Sequence, residues 1–250
     1  MSDDRFQISR RQLLGAGALI AVSSSFANAA TILGGSPLPW APDAAAPPKN
    51  IDPHNWTFFS ERERVQVEAL VETLIPADQL SPSGKDAGCA VYIDRQMSGP
   101  QGQGARLYLQ GPFAKGLPTQ GPQSAMTPAE QMRVGLAALE WHCVSAFSGR
   151  RFAELSVEER ESVLHGLEDG HIDLPNDVDG KAFFDVFLSR TMEGFFADPI
   201  YGGNRDMVSW TMLGYPGARY DYLDWIDRHN ETYPHPPVSI SGRPDWKVKA

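Results

Sequence analysis

Few side chains in this sequence are spaced to do chemistry. The candidates for metal or acid–base work are six histidines (His54, His142, His165, His171, His229, His235) and two cysteines, Cys89 and Cys143. A zinc or iron–sulfur centre needs clustered thiolates or imidazoles. The cysteines stand far apart and form no C-x-x-C, so metal, thioredoxin-like and covalent haem sites lack ligands. Glu140-Trp141-His142-Cys143 sets three ligand types in a row. On a helix only residues three or four apart face one ion. Glu140 can share a face with Cys143, while His142 points elsewhere, so a cysteine packed on an apolar stripe is expected. Asp169, His171 and Asp173 alternate in one short segment, and Asp224, Asp227 and His229 gather in another. Acid–base work would require a cleft that shifts their pKa values. Both groups read as solvated polar positions.

A flavin or nicotinamide site would need G-x-G-x-x-G between a strand and a helix. Gly15-Ala16-Gly17 lacks the third glycine, and Gly99, Gly102 and Gly104 have the wrong spacing. No P-loop, H-E-x-x-H or G-x-S-x-G occurs. The chain is therefore expected to hold no cofactor or metal and no catalytic residue of its own.

The bulk numbers agree with a globular protein. Of 250 residues, 42% are hydrophobic and 21% charged. The formal charge is −9 with no dense basic run, which argues against nucleic acid or an anionic membrane surface as a partner.

The N-terminus reads as an address. Arg10-Arg11 precede an apolar, Gly/Ala-rich stretch of about ten residues, and Ala27-Asn28-Ala29 gives a small-x-small cleavage pattern. That stretch is too short to span a bilayer. Residues 1–29 are thus expected to be a signal peptide, with Arg10 and Arg11 pointing to the twin-arginine route and the periplasm. Cleavage there removes Arg5, Arg10, Arg11, Asp3 and Asp4, which takes the formal charge from −9 to −10. In an oxidising periplasm Cys89 and Cys143 could pair with each other or with a partner.

The elements that would position any site are helical. Residues 30–56 carry six prolines and read as a linker or arm. Ser60 and Glu63 form a capping box ahead of Val67, Leu70, Val71 and Leu74, and Pro76 stops that helix. A second helix is expected over 84–98, ended by Gly99-Pro100. Residues 99–126 form a long loop of the functional or disordered kind. Thr127, Pro128 and Glu130 start a helix with the stripe Met132, Leu136, Leu139, Cys143 and Phe147. Ser156 and Glu159 start another, closed by Gly170. Residues 180–196 carry the widest apolar face: Phe183, Phe184, Phe187, Leu188, Thr191, Met192 and Phe195. No segment sustains a period of two. The fold class is mainly α, a single helical domain over 57–200 with long loops.

Residues 201–250 differ in composition. They hold no phenylalanine, three of the six tryptophans and five of the seven tyrosines. Tyrosine and tryptophan combine apolar area with a polar handle and are enriched at interfaces. This extended, Pro-rich tail suits wrapping over a partner, or alternatively packing on its own domain.

One stretch carries a resemblance. Residues 193–206 read Glu-Gly-Phe-Phe-Ala-Asp-Pro-Ile-Tyr-Gly-Gly-Asn-Arg-Asp, which resembles the signature of the gluconate 2-dehydrogenase subunit 3 family. Thr73–Asp78, Tyr92-Ile93-Asp94 and Gly214–Ala218 follow in matching order. The closing run from Arg219 to Gly242 is most similar to gluconate and ketogluconate dehydrogenase members. The resemblance spans roughly 57–245.

It implies a non-catalytic small subunit. Its partners would be a large FAD-containing subunit of the glucose–methanol–choline oxidoreductase type, which oxidises D-gluconate to 2-keto-D-gluconate, and a multihaem cytochrome c. FAD and haem c would lie in those partners, and membrane association would come only through the complex. The small chain would stabilise the flavoprotein and escort it through twin-arginine export. Phe196, Asp198, Tyr201, Gly202, Gly203, Asn204, Tyr220, Tyr222 and Trp225 are the expected partner-binding residues. Two alternatives stay open: the small subunit of a related ketogluconate, fructose or glucose dehydrogenase, or a free-standing periplasmic enzyme or sugar-acid-binding protein.

Overall fold

Three capping boxes decide where helices begin. In each, a hydroxyl accepts from the backbone N–H three residues on, and the glutamate there accepts from the cap residue's own N–H. Ser60/Glu63 opens α1 (Glu61–Leu74), with the return bond at 2.8 Å. Thr127/Glu130 opens α3 (Pro128–Ala146) and Ser156/Glu159 opens α4 (Val157–Glu168). The computed structural model describes residues 52–240, apart from 106, 108, 115, 121, 122, 220 and 221. The expected signal peptide with Arg10 and Arg11, most of the linker, and Tyr220 lie outside the described residues.

The other helices are α2 (Cys89–Ser98), α5 (Gly180–Phe196) and the short α6 (Val208–Leu213). Among the described residues there is no strand, only an isolated bridge between Gly217 and Val238. The mainly α reading therefore holds. No described helix is long and apolar enough to cross a membrane.

The second helix starts later than the sequence pattern suggests. Gly88 sits at φ +83°, a left-handed conformation that ends any helix entering from 84–87. Residues 84–88 instead form a turn that leans on α1: the Gly84 N–H donates to Ile75 O at 2.8 Å. The sequence also gave no notice of α6, which is too short to show a period.

Leu70, Ile93, Leu136, Leu139, Phe152 and Leu167 are fully buried, so α1 to α4 and the turn at Phe152–Glu154 all supply the core. α5 crosses them, and two glycines set how closely. A Cβ on Gly135 of α3 would lie 2.1 Å from the Phe183 ring, and one on Gly194 of α5 would lie 3.0 Å from the Tyr92 ring. Those rings occupy the space a side chain would take.

The arm leading into α1 is held by a buried charge. Asp94 is completely buried in α2. Its Oδ1 accepts from the Phe58 and Phe59 N–H groups, both at 2.9 Å. Its Oδ2 accepts from the Thr57 N–H at 2.9 Å and the Thr57 hydroxyl at 2.8 Å. Arg95 pairs with the same carboxylate and donates to the Asp52 carbonyl at 3.0 Å. A buried carboxylate is tolerated only when paired and hydrogen-bonded in this way.

Candidate partner-binding surface

The stretch 193–206 folds into a brace. α5 ends at Phe196 because Ala197 is extended and Pro199 offers no N–H. Asp198 is buried and caps the next turn, its Oδ1 accepting from the Ile200 N–H at 3.0 Å. The same carboxylate reaches the far end of the tail. Oδ1 accepts from the Ser239 hydroxyl at 2.7 Å and Oδ2 from the Ile240 N–H at 2.8 Å.

Gly202 takes φ +97°, and Gly203 has no room for a side chain: a Cβ there would lie 2.0 Å from the Gly194 carbonyl oxygen. Asn204 adopts a left-handed conformation and is fully buried. Its Nδ2 donates to Ala197 O at 2.9 Å, and its Oδ1 accepts from the Ser209 N–H at 3.0 Å and the Ser209 hydroxyl at 2.8 Å. The Arg205 N–H donates to Ala87 O at 2.9 Å, which ties the brace to the turn before α2. Of the expected partner-binding residues, Asp198, Gly203 and Asn204 are therefore turned inward. Their side chains, or the space left by one, hold the fold. Tyr201 stays exposed at the edge of the brace, while Phe196 is half-buried against Phe195 with ring centroids 5.2 Å apart.

The brace supports an aromatic lobe. Trp210 is buried, donates from Nε1 to Phe196 O at 2.9 Å, and packs edge-on to Tyr215 at 5.1 Å. Beyond it, Tyr233 gathers Tyr222 at 5.8 Å, Trp225 at 5.2 Å and His235 at 5.4 Å. Arg219 lies over the Tyr233 ring at 5.5 Å, and Arg228 over Trp225 at 4.6 Å. Such cation–π contacts fix rings in place at a surface. Desolvation, and then the neighbouring Tyr215 and Tyr233, raise the Tyr222 phenol above its usual range. Leu213, Tyr215, Tyr222 and Ile226 remain exposed on this lobe. The tail then returns to the domain, where the Ala218 N–H donates to Val238 O at 2.6 Å and Val238 is buried. Both readings of the tail are thus present in part. It is anchored to its own domain at 198–210 and 238–240, and it displays aromatic side chains between.

The cysteines stand elsewhere. Both are buried free thiols, so the pairing of Cys89 with Cys143 considered from the sequence is absent here. Burial pushes each thiol up to about 12, and the Glu140 charge adds to the effect at Cys143. Glu140 itself turns to Arg62 at 3.2 Å and Arg151 at 3.7 Å. His142 is half-buried, and desolvation lowers its pKa. Asp169 and His171 are exposed and 4.0 Å apart. Among the described residues no group of three or more His, Cys, Asp or Glu could hold a metal ion.

The described residues form a helical domain in which an internal turn at 198–204 carries an aromatic lobe. The family model for gluconate 2-dehydrogenase subunit 3 matches residues 61–217, from the first turn of α1 to the glycine that meets Val238. The chain belongs to the gluconate 2-dehydrogenase subunit 3 family. No curated protein and no solved structure matches it.

Proposed function

We propose that this chain is the non-catalytic small subunit of an exported dehydrogenase complex. Its large partner carries FAD and oxidises D-gluconate to 2-keto-D-gluconate; a multihaem cytochrome c takes the electrons onward. The small subunit stabilises the flavoprotein and carries it through the twin-arginine route to the periplasmic face of the inner membrane. Family membership supports the accessory role. The single structural observation that carries it is the lobe of Tyr222, Trp225 and Tyr233, with arginines over its rings and a brace behind it whose Asp198, Gly203 and Asn204 are buried. Rigid aromatics displayed beside exposed aliphatics are the usual anchors of protein interfaces. Gluconate is preferred over related sugar acids on the closing run, which lies beyond the matched residues.

The test is co-expression of the tagged chain with the flavoprotein and cytochrome subunits. Co-purification with flavin and haem absorption and gluconate-dependent dye reduction supports the proposal. A colourless single chain sinks it. Trp225→Ala is expected to lower flavin recovery while leaving the circular dichroism of the small chain unchanged.

A further inference from the structure

The lobe closes on itself before it closes on the helices. At its neck the Ala218 N–H donates to Val238 O at 2.6 Å, and the Val238 N–H donates to Pro216 O at 3.2 Å. Inside the neck the Tyr222 hydroxyl donates to Gly217 O at 3.4 Å and Arg219 donates to the Pro236 carbonyl. With the rings gathered by Tyr233, these contacts make 216–238 a loop packed by its own side chains. Its buried Val238, like Trp210 at its root, stands outside the main core that α1 to α5 and their connections build. A unit outside the core can part from it without unfolding it.

Two attachments tie this loop to the helical domain. On the near side Trp210 meets Tyr215 edge-on, and α6 ends at Gly214 with φ +69°, a turn where the chain can pivot. On the far side the Asp198 carboxylate holds both the Ser239 hydroxyl and the Ile240 N–H. Asp198 belongs to the domain, because its Oδ1 also caps the turn at Ile200. The tail is therefore the part that can leave. Hydrogen bonds to a carboxylate are strong, which keeps the latch shut. Asp198 is nevertheless 8% exposed, so water can replace the two donors when the tail departs.

We infer that Asp198 is the positioning residue of the aromatic lobe: its latch on Ser239 and Ile240 decides whether the lobe is presented as one rigid face or swings about Gly214 while the helices stay folded. This rests on the accessory-subunit reading above. It adds that capture of the flavoprotein is coupled to the latch: the partner binds the latched form, and binding in turn holds the latch shut. Asp198 faces inward and acts through the tail.

The experiment uses the full chain. Ser239→Ala removes one donor and Ile240→Pro the other, and both leave the helices and the lobe's rings in place. Limited trypsin digestion reads opening through cleavage after Arg219 and Arg228, which tracks the open population. Each substitution should speed those cuts about tenfold, the scale of one lost hydrogen bond to a charged group. The helical circular dichroism and its melting temperature should match the parent chain. Asp198→Asn turns an N–H2 toward the Ile240 N–H and should speed the same cuts, but add little in the Ile240→Pro background. With Ser239→Ala and Ile240→Pro combined, flavin recovered per small chain on co-expression should fall about tenfold, and bound flavoprotein should slow cleavage of the parent lobe. Unchanged cleavage in all these variants, with Trp225→Ala still impaired in capture, would overturn the latch and leave the accessory role standing. Faster cleavage with capture intact would overturn the coupling. A melting temperature that falls while cuts appear throughout the chain would make Asp198 a general structural residue and overturn its positioning role. Failure of the parent chain to capture any flavoprotein would overturn the accessory reading and the coupling with it.

Discussion

Asp94 shows how much one side chain can organise. Its carboxylate collects three backbone N–H groups, a hydroxyl and Arg95 in a site with no solvent access. Asp94→Ala would strand those donors and leave Arg95 unpaired, at a cost of roughly 3–5 kcal/mol. The denaturation midpoint of the purified chain measures this, and an unchanged midpoint would show the clamp to be dispensable. The sequence quoted Asp94 only as part of a resemblance; its burial follows from the facing arm at 57–59, which local spacing cannot announce. The cysteines teach the reverse. Their place on apolar positions was legible, and burial pushes both thiols up to about 12. Neither should react with a thiol-specific dye in the folded chain at pH 8, and both should react in denaturant. Two labels on the native protein would mean that α2 or α3 opens readily.

At the level of elements, helix starts were readable where capping chemistry is local. Ser60, Thr127 and Ser156 each announce a helix with a glutamate three residues on, and each begins where the pair stands. Ser60→Ala should cost about 1 kcal/mol of stability, read from the same denaturation curve. What local pattern could not show was a start decided by a distant contact. α2 begins at Cys89 because Gly88 lies against the Gly202 carbonyl, where a Cβ would come within 2.6 Å. Exposure along the tail was legible in the same uneven way. Tyr201 and Tyr222 are exposed and Trp225 half-buried, as an aromatic-rich tail suggests, but Asn204 and Asp198 look like surface polar residues in sequence and prove to be internal braces. Gly203→Ala tests that brace directly. The clash is with backbone at 2.0 Å, so no side-chain rotation relieves it. The variant should be recovered mainly as aggregate, whereas a soluble variant with the parent's melting temperature would show that the end of α5 can yield.

For the whole molecule, pH offers a simple lever. Cys89 and Cys143 are raised from about 9, and Tyr92 from about 10, each to about 12, with burial the leading cause. The folded state therefore favours the protonated forms. That contribution is complete below pH 9 and is lost as pH climbs toward 12. Melting temperature should fall across this window, and Cys89→Ser with Cys143→Ser should soften the fall; a flat profile from pH 8.5 to 11 would contradict it. The brace has a consequence in time as well as in space. Ala87, at the doorway of α2, takes its partner from Arg205, and Asp198 takes its own from Ile240. These contacts join positions far apart along the chain, and such pairings form late. A nascent chain on the ribosome can cap α1, α3 and α4 as they emerge, yet it cannot close the start of α2 until residue 205 is made, nor lock the tail until 240. Two clasps of this subunit therefore close only after the helices that make up the core, one at the start of α2 and one at the end of α5.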